Sequence, residues 1–138
     1  MQSGVRYLNS KVIYQHMSTQ LDPISVARMP EKQRESTIKG VLEGLFKMKQ
    51  DDAFKALRSV IQTLAERAAD QEYINWCVTT MRILAGYPDD VVKAGLTLRR
   101  NVVSSLDKRL ADRDAAIISR VLNMLDNNTR QKLMRNMP

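Results

Sequence analysis

Few side chains in this sequence could carry chemistry. The single histidine, His16, has no cysteine or second histidine near it with which to hold a metal or form a catalytic dyad, so it is expected at a surface or in packing. The lone Cys77 falls between Trp76 and Val78, where a thiol behaves as a small hydrophobe unless its thiolate is stabilised. Ser104 and Ser105 lack both a neighbouring histidine and the strand–turn–helix elbow that exposes a nucleophile. Asp51–Asp52 and Asp89–Asp90 stand at expected helix starts, where negative charge complements the helix dipole. Asp112–Arg113–Asp114 lacks the glycine turn and terminal glutamate of a calcium loop. A non-enzymatic chain without metal or cofactor is the expectation.

The pattern with most chemical content is a stripe of donors. Lys93, Thr97, Arg100, Ser104 and Lys108 recur at three- or four-residue steps, the spacing that keeps side chains on one helix face. Arg113, Arg120, Arg130, Lys132 and Arg135 follow. These residue types contact phosphate oxygens or acidic protein surfaces, and the same pattern also describes an ordinary solvated face. No aromatic platform for stacking bases is interleaved with them, and no zinc-finger or RNA-binding signature surrounds them. Arg99 lies towards the apolar side of the same helix, where its stem can cover the core edge or its head can pair with an acid or a partner.

Net charge sharpens this picture. The 138 residues carry 22 basic and 15 acidic side chains, a formal +7. Residues 1–50 contribute +4, residues 51–92 contribute −3 and residues 93–138 contribute +6, so the basic excess belongs to the two ends. A single cysteine cannot close an intramolecular disulfide, and the first twenty residues lack the apolar core of a secretory signal. An intracellular setting is expected. No apolar run approaches the length needed to span a bilayer, so membrane insertion is not.

The elements that must position these groups are helical. Hydrophobic spacing of three and four dominates, and no segment alternates with period two. Val5, Leu8 and Val12 suggest a first helix, although Val12–Ile13–Tyr14 also suits a short extended segment. Asp22–Pro23 is a cap followed by a favoured first-turn residue, and Pro30 limits that helix to a brief one. Ile38, Val41, Leu42, Leu45 and Phe46 mark a helix from Glu31 to about Lys49, with Gly40 and Gly44 offering close approach to another backbone. Asp51 and Asp52 are expected to cap the next, whose apolar face runs from Phe54 to Ala68.

Residues 71–85 carry an apolar arc wide enough for a central helix. Gly86 and Pro88 stop it, and the short turn predicts an antiparallel neighbour over about 89–110 with Val91, Gly95, Leu98, Val102 and Leu106 facing inwards. Asp112 is expected to cap a helix bearing Ile117, Val121 and Leu125. Asp126–Asn127–Asn128–Thr129 makes a turn and a fresh cap before a last short helix expected from Arg130 to Met137.

The pattern therefore predicts an all-α chain: five to seven helices in an irregular helical bundle, or a short α-solenoid-like stack of antiparallel helix pairs. One domain spans 1–138, with 1–30 its more weakly patterned N-terminal segment. The expected function is a protein–protein interaction or assembly module with basic ends, whose partner is another protein or a second copy. The alternative is a nucleic-acid-associated protein that holds the phosphate backbone without strong sequence preference. The apolar arc of 73–85 and Leu133, Met134 and Met137 are candidate shared surfaces.

Overall fold

The chain, seen in a computed structural model, is described over residues 21–138, so the expected first helix and His16 lie outside the described residues. Asp22 opens the first described helix, α1 (Pro23–Ala27), by accepting a hydrogen bond from the Ile24 amide at 3.0 Å. Pro30 ends the joint that follows, and α2 (Glu31–Lys47) starts directly after it. Then come α3 (Gln50–Arg67), α4 (Asp70–Leu84), α5 (Asp89–Ser104), α6 (Lys108–Met124) and α7 (Asn127–Arg135). These seven helices are the regular structure among the described residues, which contain no strand.

The arrangement is a bundle. α4 lies at its centre, with α6 and α2 along its flanks and α1 across it, while α3 packs on α5 and α6. One apolar cluster runs from Ile24 to Leu133 and takes in Tyr73, Ile74, Trp76, Cys77, Val78, Met81 and Leu84 of α4. The wide arc of α4 is thus consumed by the chain's own core. Leu133 is also buried there, leaving Met134 of that C-terminal trio exposed and Met137 partly covered. No helix among the described residues is long and apolar enough to cross a membrane.

Several local expectations need correction. The helix expected over 89–110 ends at Ser104, and Asp107 rather than Asp112 caps α6 by accepting from the Leu110 amide at 3.1 Å. Val102, Leu106 and Leu110 keep helical spacing across the turn, which disguises the break. Lys108 therefore belongs to the first turn of α6, not to the α5 stripe. Asp51 and Asp52 sit inside the first turn of α3, where they complement the helix dipole, while Lys49 occupies the cap position. Gly44 is buried, but Gly40 is exposed and a methyl group there would meet nothing within 4 Å, so the two do not act as a packing pair.

The α4–α5 turn also does more than reverse the chain. α5 comes close to α4 at Gly95, where a β-carbon would stand 3.1 Å from Leu84 Cδ1, yet it lies mainly along α3. The two helices are splayed rather than packed along their length, and a space opens between them.

Candidate functional site

The space is a half-open groove of about 1180 Å3. Leu42, Leu45 and Phe46 of α2 form one wall, and Ala53, Phe54 and Leu57 of α3 form the next. Trp76, Cys77, Met81 and Leu84 of α4 make the floor, and Val91, Ala94, Gly95 and Leu98 of α5 complete the enclosure. Phe46 leans on Tyr87 in an edge-to-face contact, ring centroids 5.2 Å apart, yet keeps 42% of its surface exposed. Exposed polar residues ring the mouth: Gln50, Asp51, Asp90, Lys93 and Asn101, with Thr97 half-buried among them.

Most polar groups around the groove's interior already have partners within the chain. Arg99 reaches its inner edge and makes a two-pronged ion pair with Asp114 of α6, Nη1 to Oδ2 at 2.9 Å and Nη2 to Oδ1 at 2.6 Å. Tyr73 donates its hydroxyl to the same Asp114 Oδ1 at 2.5 Å, and burial, with the adjacent carboxylate, holds that phenol well above its usual range. The Thr80 hydroxyl donates to the Trp76 carbonyl. Burial pushes the Cys77 thiol up to about 12, against the pull of Arg99, so it lines the floor as an apolar group. Among the described residues no buried side-chain nitrogen or oxygen lacks a partner. An occupant of the interior must therefore be mainly apolar, because the lining offers few polar groups to replace lost water.

Of the ten residues singled out from sequence, most have a partner within the chain. Arg113 is half-buried over the Tyr73 ring at 5.4 Å and donates to the carbonyls of Leu64, Ala65 and Ala68 and to Asp70 Oδ1. It satisfies the C-terminal carbonyls of α3, which the helix leaves unpaired. Arg120 also pairs with Asp70, at 3.4 Å. Arg130 donates to the Leu122 and Leu125 carbonyls at the end of α6, and Lys132 to the Tyr87 carbonyl at 2.6 Å. Arg135 pairs with Asp89, whose carboxyl is held below its usual value by the Asn136 amide and then by Arg135. Lys108 pairs with Asp112 one turn along α6.

Ser105, already set aside as a nucleophile, accepts from Arg58 Nε at 3.0 Å and donates to the Val102 carbonyl at 2.6 Å. The residues left over are Lys93, Thr97, Arg100 and Ser104, whose side chains have no hydrogen bond or ion pair among the described residues. They form a ridge on α5 between two hollows. Lys93 and Thr97 border the large groove, while Arg100 and Ser104 border a smaller one of about 240 Å3 that also contains Met81, Leu96, Ile118 and Met137.

The sequence matches no family model, no curated protein and no solved structure. Function must therefore be argued from the groove itself. Sequence reasoning missed Leu42, Phe46, Phe54, Leu57 and Ala94 as parts of one site. The available signal was in α5, which has two apolar faces where one would suffice for packing: Val92, Leu96 and Val102 enter the core, and Val91, Ala94 and Leu98 face the groove.

Proposed function

We propose that the chain is a non-enzymatic helical interaction module whose working surface is the groove between α2 and α5, and that it docks the apolar face of a helix from a partner protein or another copy. The observation that carries this reading is the groove's combination of size, openness and apolar lining, with no fully buried polar side-chain atom among the described residues left unpaired. Such a space is matched by side chains projecting from one helix face at steps of three and four. Its volume slightly exceeds the usual range for small-molecule pockets, roughly 300–1000 Å3.

The test is a photo-crosslinking residue at position 94, carried by the full chain in its own cells, with position 119 on the exposed face of α6 as control. The expected result is an adduct to one amphipathic helical segment from position 94 and none from 119. Adducts to nucleic acid, or the same proteins from both positions, would defeat the reading.

Phosphate-backbone binding survives as a second reading in reduced form. Its support is the unpartnered state of Lys93, Thr97, Arg100 and Ser104 among the described residues, since Arg113, Arg120, Arg130, Lys132, Arg135 and Lys108 have intramolecular roles. Two free cations on one ridge supply a much shorter electrostatic footprint than ten residues would. Binding of this kind weakens log-linearly with salt, with a slope near −0.9 per phosphate neutralised, whereas an apolar interface changes little.

A further inference from the structure

Residues 1–20 join the described chain beside its own groove. Leu21, the first described residue, packs against the cluster of Leu45, Met48, Ala53 and Ala56, whose first three members line the groove. In the sequence before it, Val5, Leu8 and Val12 keep the steps of three and four that put apolar side chains on one helix face. Reach is sufficient. Val12 and Leu21 are nine positions apart, over which an extended chain spans up to about 30 Å, against about 24 Å for the whole of α5.

Charge agrees with the apolar pattern. Residues 1–20 contain Arg6 and Lys11 and no aspartate or glutamate. At about 100° per residue, a helix places these two cations on opposite sides of the Val5, Leu8 and Val12 face. The groove mouth has Asp51 on the α3 wall and Asp90 on the α5 wall, both exposed, with Lys93 as its exposed cation.

We propose that Val5, Leu8 and Val12 of the same chain occupy the groove in the absence of a partner, with Arg6 and Lys11 against Asp51 and Asp90, so that a partner helix binds by displacing them. This rests on the groove reading above and adds its regulation. A short tether holds its segment at an effective concentration on the order of millimolar, so a segment with a dissociation constant of about 0.1 mM weakens a competing helix about tenfold.

The direct test is a photo-crosslinking residue at position 8 of the purified full chain. The expected adduct is intramolecular, forms at any protein concentration and maps to groove-lining residues of α2, α3 or α5. Adducts between two copies that grow with concentration would assign the groove to a second copy and overturn the inference. Adducts elsewhere on the chain, or none, would overturn it too.

Trp76, the only tryptophan, is on the groove floor and reports displacement. The probe is a synthetic helix with a leucine face, lysine flanks and no tryptophan, titrated into the unaltered chain and into Leu8→Glu with Val12→Glu while Trp76 emission is followed. The variant should bind it about ten times more tightly. Arg6→Glu with Lys11→Glu, which keeps the apolar face, should show a smaller gain that shrinks as salt rises. Equal affinity for the unaltered chain and the Leu8 and Val12 variant would overturn the self-docking inference and leave the groove reading standing. No emission change with any of the three chains would overturn both.

Discussion

Two sides of α4 are built from the same kind of amphipathic helix and end in different states. On the α6 side, Tyr73, Arg99 and Asp114 form a buried polar knot, Arg113 ties α6 to the end of α3, and Ile117 and Val121 fill the core. On the α5 side, the helices diverge after Gly86 and leave Phe54, Leu57 and Leu98 half-buried around an open groove. The difference lies in where the arginines go. Where they reach across to carbonyls and carboxylates, the surface is structural, and where Lys93 reaches nothing among the described residues, the neighbouring apolar wall is available.

The sharpest way to break this contrast is at the knot. Asp114→Ala leaves the Arg99 guanidinium largely buried without its anion and should cost about 3–5 kcal/mol, the typical loss when one member of a buried pair is removed. Urea denaturation would show it as a large fall in midpoint, and a change under about 1 kcal/mol would mean that water reaches the knot.

Side-chain truncation should then differ between the two sides. Ile117→Ala, deep beside α4, is expected to cost about 2–5 kcal/mol, whereas Leu57→Ala on the groove wall should cost about 1 kcal/mol because it already faces open space. Equal losses would show that the groove is closed in solution. Arg113→Ala comes next, at about 1.5–3 kcal/mol from its lost charge-assisted bonds to the α3 carbonyls. Arg113→Lys should recover little of this, since an ammonium cannot span the same set of acceptors.

How much of this was legible beforehand follows the range of the interactions. The helical class, the Asp22 cap and the centrality of α4 are written in local spacing, and the described fold bears them out. The last helix, expected from Arg130, begins instead at Asn127 with Asp126 as its cap. The α5–α6 break was hidden because Val102, Leu106 and Leu110 happen to keep helical phase through a turn. Arg99 could be seen as misplaced on an apolar face, but its partner Asp114 lies fifteen residues away on another helix. The roles of Arg113 and Lys132 depend on contacts 45–49 residues distant, which periodicity cannot reveal. The groove was least visible, since it arises from two helices failing to pack along their length.

Smaller effects refine the comparison. Asp107→Ala should cost about 1 kcal/mol by removing the cap that starts α6 exactly where the α5 stripe ends, measurable as a lower thermal midpoint. Acid should act through other caps. The Asp126 carboxyl is held below its ordinary 3.8 first by the Thr129 amide, and that of Asp22 first by the Ser25 hydroxyl. Because both folded values lie below the unfolded ones, their contribution is present above the ordinary carboxylate value and is lost as pH falls through the lowered one. Thermal melts across the acid range should show a decline that flattens when both residues are replaced by asparagine. Lys93→Ala and Arg100→Ala should change stability by less than about 0.5 kcal/mol, the mark of residues outside the fold's internal ties.

The single cysteine gives the chain its own gauge of breathing. Cys77 lies under the groove and beside the polar knot, with its thiol held protonated by burial. A thiol reagent can modify it only when the floor lifts, so the labelling rate under native conditions counts openings of the helical layers above it. An occupant of the groove would slow that count from one side, and loss of Asp114 would speed it from the other. One sulfur atom thus records both the closed and the open side of the molecule on a common timescale.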